Sequence, residues 1–210
     1  MTYSVDIGTT DIGASNIEKD DDGYLAGRLL IASPAMLDKR FHNTVIYMCV
    51  HDAEQAMGII INRPKPDLKL SAMLPHLNVK GPVTYEDTQV LYGGPVEKER
   101  GFVLHSRDFS DPNNSLPLSE TLALTTSKSV LSALTKANSP KRAVLALGYA
   151  GWQSGQLEAE IMRNSWLIAP VLSAGDEDII FTGEPKDKWK LALAQIGITP
   201  EFLSAEAGNA

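Results

Sequence analysis

Ala143-Val144-Leu145-Ala146-Leu147-Gly148-Tyr149-Ala150-Gly151-Trp152-Gln153-Ser154-Gly155-Gln156-Leu157-Glu158 is the stretch on which the fold turns. Its first five residues are apolar without alternation, the pattern of a strand covered on both faces. Small residues and two large aromatics follow. A helix then opens at Gly155, with Ser154 as its cap and Leu157 and Ile161 on one face. A buried strand that runs through small residues into a helix N-terminus is where ligands bind in open α/β sheets. The same residues also suit close packing of strand against helix. Gly148, Tyr149, Gly151 and Trp152 are therefore a pocket wall or a packing joint, and both readings stay open.

Upstream, Arg28–Ser33, Thr44–Val50 and Met57–Asn62 read as strands rich in β-branched residues, with only six residues between the second and third. Such short links exclude crossover helices, so part of the sheet is antiparallel. A short helix is expected from Pro34 to about Lys39, and another over Leu68–Leu74. Gln89–Tyr92, Gly101–His105 and Leu122–Leu124 read as short strands, residues 76–88 as loop and residues 106–118 as a long surface loop. Helices are expected over Ser127–Ala137 and from Pro185 to Gly197, with Trp166–Ala169 extended and halted by Pro170. Asp176–Phe181 fits a strand or a helical turn equally. The predicted class is α/β in the α+β sense: a single domain over residues 24–210, with a curved, mixed, partly antiparallel sheet flanked by helices. Residues 1–23, polar and acidic, are expected to form a flexible leader.

The chain has 210 residues, 43% apolar and 21% charged, with a net charge of −7. The acidity is even: 10 basic and 14 acidic groups in residues 1–105, 9 and 12 in residues 106–210. No basic cluster is present to displace phosphate counterions, so direct nucleic-acid binding is not expected. Cys49 is the one cysteine, which excludes an internal disulfide and suits a reducing compartment. No apolar run reaches the length of a signal peptide or a membrane span. A cytoplasmic location is expected.

Asn62-Arg63 closes a buried strand. Polar residues there line a cleft or hold loop carbonyls, and Arg63 suits bidentate capture of a carboxylate or phosphate. Gly93-Gly94-Pro95 reads as a tight turn or an anion loop, without the Lys-Ser or Lys-Thr pair of a phosphate cradle. His51 and His105 each end a strand, with no third ligand at metal spacing. Cys49 lies in an apolar strand and reads as a small hydrophobe. Glu158 and Glu160 fall about 200° apart on their helix, so they do not form a carboxylate pair, and Glu160 is placed to pair with Arg163. Trp166 and Trp189 read as core.

These pieces in order resemble the YqgE/AlgH family of bacterial proteins. The matching segments are Leu30–Pro34, Val45–Cys49, Ala56–Pro64, Gly93–Val96, Arg100–His105, Leu147–Trp152, Gly155–Glu158 and Asn164–Trp166, together with the Trp189 helix and Gly197, covering about residues 25–210. The resemblance implies a compact α/β domain with a curved mixed sheet. It also carries the label of transcriptional regulator, without a DNA-binding motif. The chain departs from the family at Val50-His51-Asp52, where members often have Glu-His-Asn, and at Gly208-Asn209-Ala210, where many have Gly-His-Ala. Val50 thus removes half of any adjacent Glu-His pair.

The reading is a cytoplasmic regulatory protein that binds a protein partner or a small ligand, with no metal or cofactor and no catalytic residue assigned. Its surface is expected where Asn62, Arg63, Gly93, Gly94, His105, Gly148, Tyr149, Gly151 and Trp152 meet. The alternative is an enzyme with a cryptic site using His51 or His105 as base.

Overall fold

The computed structural model describes residues 23–77, 79, 89–136, 139–171 and 177–199. The leader over residues 1–22, most of the loop at 76–88 and the chain end at 208–210 lie outside the described residues. The strands are β1 Arg28–Ala32, β2 Val45–His51, β3 Gln55–Ile60, β4 Pro64–Lys69, β5 Gln89–Tyr92, β6 Val96–Ser106, β7 Ser115–Pro117, β8 Leu122–Thr125, β9 Ala143–Gln153 and β10 Trp166–Val171. The α-helices are short: α1 Leu70–Met73, α2 Lys128–Ala133, α3 Gln156–Met162, α4 Asp178–Phe181 and α5 Lys188–Gln195. The class is α+β with mixed strand pairing, as the sequence predicts.

The chain gathers into two compact units, one built from Pro64–Tyr149 and the other from Gly23–Arg63 with the chain from Ala150 onward. β9 contributes its first seven residues to the former and its last four to the latter.

In the unit of Gly23–Arg63 and Ala150 onward, β10, β1, β2, β3 and the end of β9 pair in that order, all antiparallel. Every residue of β2 is buried, which requires cover on both faces. Leu29, Ile31, Ile46, Ile59, Ile60, Ala192 and Leu193 belong to its core. β10 continues past the expected stop at Pro170. Among the described residues it pairs with β1 alone, and the register shift between Arg28 and Leu30 falls opposite Pro170, so the missing N–H breaks no rung. The expected helix at 34–39 is replaced by turns and a single 3-10 turn at Lys39–Phe41. Ser33 Oγ accepts the Ala35 N–H at 3.0 Å and the Asp38 carboxylate accepts the Arg40 N–H at 2.9 Å, each competing with helical bonds. The ambiguous segment before Phe181 resolves into helix α4.

In the unit of Pro64–Tyr149, β9 lies between β5, its parallel neighbour, and β6, its antiparallel one. β4 pairs with β5, β8 with β6, and β7 with β8. Leu70, Met73, Val90, Val103, Val130, Leu131, Leu145 and Leu147 share one core. β4 was not expected, because Pro64 and Pro66 argue against a strand; among the described residues it pairs with β5 alone, where proline is tolerated. β7 lies inside the expected loop at 106–118, and α2 ends at Ala133, short of Ala137.

Candidate functional site

In the unit of Gly23–Arg63 and Ala150 onward, residues 33–44 form a connection that is fastened along its length. Asn62 stands just past the end of β3, where its Oδ1 accepts the Val45 N–H at 2.9 Å and its Nδ2 donates to the Asn43 carbonyl at 2.8 Å. The side-chain amide thus acts as one more rung beside the Ile61–Val45 backbone bond. Arg63 donates from Nη2 to the His42 carbonyl at 2.7 Å. At the other end Ser33 N–H donates to the Ser165 carbonyl, and Met36 is buried. Between these anchors the Leu37 side chain is 93% exposed. Asp38 pairs with Arg40 at 2.6 Å, which holds the Asp38 carboxyl below the usual carboxylate range.

Beneath this connection runs an aromatic row. Phe41 meets Trp166 edge-on at 5.5 Å between centroids, and Trp166 meets Trp152 edge-on at 5.9 Å. Both indoles are buried, Trp152 to 6% and Trp166 to 2% exposure. Both donate to the same carboxylate oxygen, Glu160 Oε2, at 2.9 and 2.8 Å. Gln156 Nε2 donates to Oε1 of Glu160 at 2.9 Å. The expected Glu160–Arg163 pair is therefore corrected: the helical turn that places Glu160 near Arg163 also turns it toward two buried N–H donors, and a charged acceptor for buried donors outweighs an exposed ion pair.

Trp189 is half-buried and donates from Nε1 to the Ala32 carbonyl at 2.8 Å. The preceding residue, Lys188, is 4% exposed and gives Nζ to the Ile180 carbonyl at 2.8 Å. Burial pulls its ammonium pKa down to about 8.

His51 finds its carboxylate elsewhere than at position 50. Its Nδ1 accepts the Leu25 N–H at 2.9 Å, which leaves Nε2 as the protonated nitrogen, donating to Glu158 Oε1 at 2.9 Å. Tyr24 packs edge-on against the imidazole at 5.2 Å. Cys49 is buried, and desolvation pushes its thiol up to about 12.

In the unit of Pro64–Tyr149 the predicted glycines form a backbone joint. Gly148 sits inside β9 with φ +75°, and a Cβ there would lie 2.5 Å from the Gly94 carbonyl oxygen and 2.8 Å from that of Val96. A Cβ on Gly93 would lie 2.1 Å from the Gly148 oxygen. Only backbone fits this approach. Tyr149 lies against Phe102, ring edge to face at 5.5 Å, and burial raises its phenol pKa.

His105 lies toward the other end of β9, opposite Ala143, six residues or about 20 Å of strand from Tyr149. Its Nδ1 faces the Ser106 carbonyl at 2.9 Å and its Nε2 the Thr125 hydroxyl at 2.8 Å.

The structure thus brings Asn62 and Arg63 to bear on one connection, with Trp152 behind Trp166 in the aromatic row that Phe41 joins, and Gly93, Gly94 and Gly148 to one joint. His105 is placed apart from that joint, and Gly151 is exposed on β9 opposite Met57. Sequence reasoning missed Leu37, Glu160 as an indole acceptor, and Glu158 as the partner of His51. The four-residue spacing of Gln156 and Glu160 on one helix face was the available signal for part of this. Among the described residues no group of three His, Cys, Asp or Glu gathers as metal ligands, and no helix is long and apolar enough to cross a membrane.

The pairing order, the glycine joint in β9 and the fastened connection before β2 define an α+β protein of mixed sheet with short peripheral helices. The chain belongs to the AlgH-like family, whose model matches residues 29–201. A UPF0301 protein of Caulobacter vibrioides is 46% identical over 198 residues, spanning 94% of this chain and 100% of that one. A UPF0301 protein of Bradyrhizobium is 48% identical over 195 residues, spanning 90% of this chain and 88% of the relative. The solution structure of the AlgH protein from Pseudomonas aeruginosa matches with a TM-score of 0.71 at 36% identity, over 92% of this chain and 100% of that one. A crystal structure of a Corynebacterium diphtheriae protein, DIP2367, shares the fold with a TM-score of 0.65 at 21% identity, over 92% and 95% of the two chains.

Proposed function

We propose that this is a cytoplasmic regulatory protein that acts by capturing a protein partner through residues 33–44, and not by direct contact with DNA. The observation that carries this reading is Leu37, almost fully exposed between anchors set by Ser33, Met36, Asn62 and Arg63. An apolar side chain held in water on a fixed backbone stabilises nothing in the free protein. It costs little ordering entropy when it enters a partner's pocket. Pro34 and Ala35 are exposed beside it, and Lys39 follows with its ammonium in solvent, which favours an apolar pocket with a carboxylate at its rim. The even acidic balance argues against a duplex as partner.

The test is affinity capture from native lysate with wild type and Leu37→Asp side by side. The variant is expected to keep its melting temperature, since an exposed position is changed, and to lose the captured protein. Identical capture by both, or a salt-steep gel shift with duplex DNA, overturns the reading.

A further inference from the structure

Ser115, Thr125 and His105 stand on three neighbouring strands, β7, β8 and β6. Ser115 is directly opposite Thr125 in the β7–β8 register, and β8 pairs with β6. Ser115 Oγ lies 2.6 Å from Thr125 Oγ1, which lies 2.8 Å from His105 Nε2. The direction of every proton follows from the far end. The Ser106 carbonyl, 2.9 Å from His105 Nδ1, can only accept, so Nδ1 carries the hydrogen and Nε2 offers a lone pair. Thr125 must then donate to Nε2, and its oxygen is left to accept from Ser115. His105 and Thr125 are fully buried, whereas Ser115 is half-buried and gives the chain its outlet. Burial keeps the imidazole neutral, with its pKa below the ordinary histidine value, while Asp108 nearby favours the imidazolium when a proton arrives.

We infer that Ser115 is an acyl-acceptor nucleophile whose proton passes through Thr125 to His105. In the step, Ser115 Oγ forms a bond to the carbonyl carbon of an activated ester. The bond to the leaving oxygen breaks, and that oxygen departs with the electron pair. The Ser115 proton moves to Thr125 as the Thr125 proton moves to His105 Nε2. The substrate class is a neutral activated acyl ester rather than a phosphoryl donor, because Ser115 N–H is bonded to the Asp111 backbone and the Asp111 carboxylate stands ionised close by. Ser129, Asn114 and Ser127 all donate to that carboxylate, holding its pKa down. A fixed negative charge repels a phosphoryl dianion from the outset, whereas a neutral ester meets that repulsion only as charge develops on its oxygens during transfer. This inference is independent of the partner-binding surface, which belongs to the other unit of the chain.

The test uses the full chain with p-nitrophenyl acetate and peptide mass spectrometry, taking exposed Ser110 as the internal reference. Ser115 is expected to acetylate about 100-fold faster than Ser110, the scale of general-base assistance. Its rate should fall as pH drops through the His105 ionisation, while that of Ser110 tracks hydroxide alone. Thr125→Val should bring Ser115 to the Ser110 rate and Thr125→Ser should keep the advantage. Equal rates at the two serines in wild type overturn the inference without recourse to any variant. A folded Thr125→Val protein that acetylates Ser115 at the wild-type rate overturns it as well.

Discussion

Glu160 holds the Trp152 and Trp166 indoles on a single oxygen, and removal of its side chain strands two buried N–H groups at once. Each such donor costs about 1–3 kcal/mol when unsatisfied. Glu160→Ala is therefore expected to lose about 2–6 kcal/mol in urea unfolding, whereas Glu160→Gln keeps an acceptor oxygen and loses less than half as much. Equal losses in the two variants would show that the carboxylate's charge, not its acceptor oxygen, holds the indoles. Sequence spacing found the helix face that bears Glu160 and chose the wrong partner. A three-residue offset puts Arg163 within reach, but the indoles come from β9 and β10, and no local pattern carries that approach. The same limit hid Glu158 from His51, 107 residues away.

At the scale of elements, the connection at 33–44 is ordered by side chains that lie outside it. Asn62→Ala frees the Val45 N–H and the Asn43 carbonyl together. Amide exchange is expected to rise by about tenfold or more at Asn43–Val45, corresponding to about 1.4 kcal/mol or more of local opening, with Leu29–Ile31 unchanged. Uniform acceleration across β1 and β2 would mean that Asn62 supports the whole unit rather than the connection. β2 and the first five residues of β9 were legible as continuous apolar runs of strand length, whereas the six residues from Gly148 to Gln153 that continue β9 were not. β4 and the end of β10 were not, since proline forbids a central strand and only the pairing shows that these strands have a neighbour on one side. The helix expected at 34–39 failed for a local reason. Ser33 and Asp38 take backbone N–H groups that a helix would have used internally.

For the molecule as a whole, Lys188 couples folding to alkaline pH. Its folded pKa of about 8 lies below the unfolded value of 10.5, so the unfolded chain binds more protons between these limits. Wild-type stability should therefore rise relative to Lys188→Met as pH increases from 8 to 10.5, by up to about 3 kcal/mol. Below pH 8 the difference should be flat. Parallel unfolding curves across the range would show that the ammonium is hydrated in the folded protein. The sequence by itself determined the class, the buried strands, the acidic even charge and the family, because all of these rest on composition, periodicity and ordered local motifs. Tertiary structure decided which candidate residues share a neighbourhood. It fastened Asn62 and Arg63 to one connection, set Trp152 behind Trp166 in the row beneath it, and fused Gly93, Gly94 and Gly148 into a backbone joint, with His105 left on a separate hydroxyl chain. The physical reason is that a polar group's partner is fixed by which strands pair and in what register, and that pairing is a property of the folded sheet rather than of any window of residues.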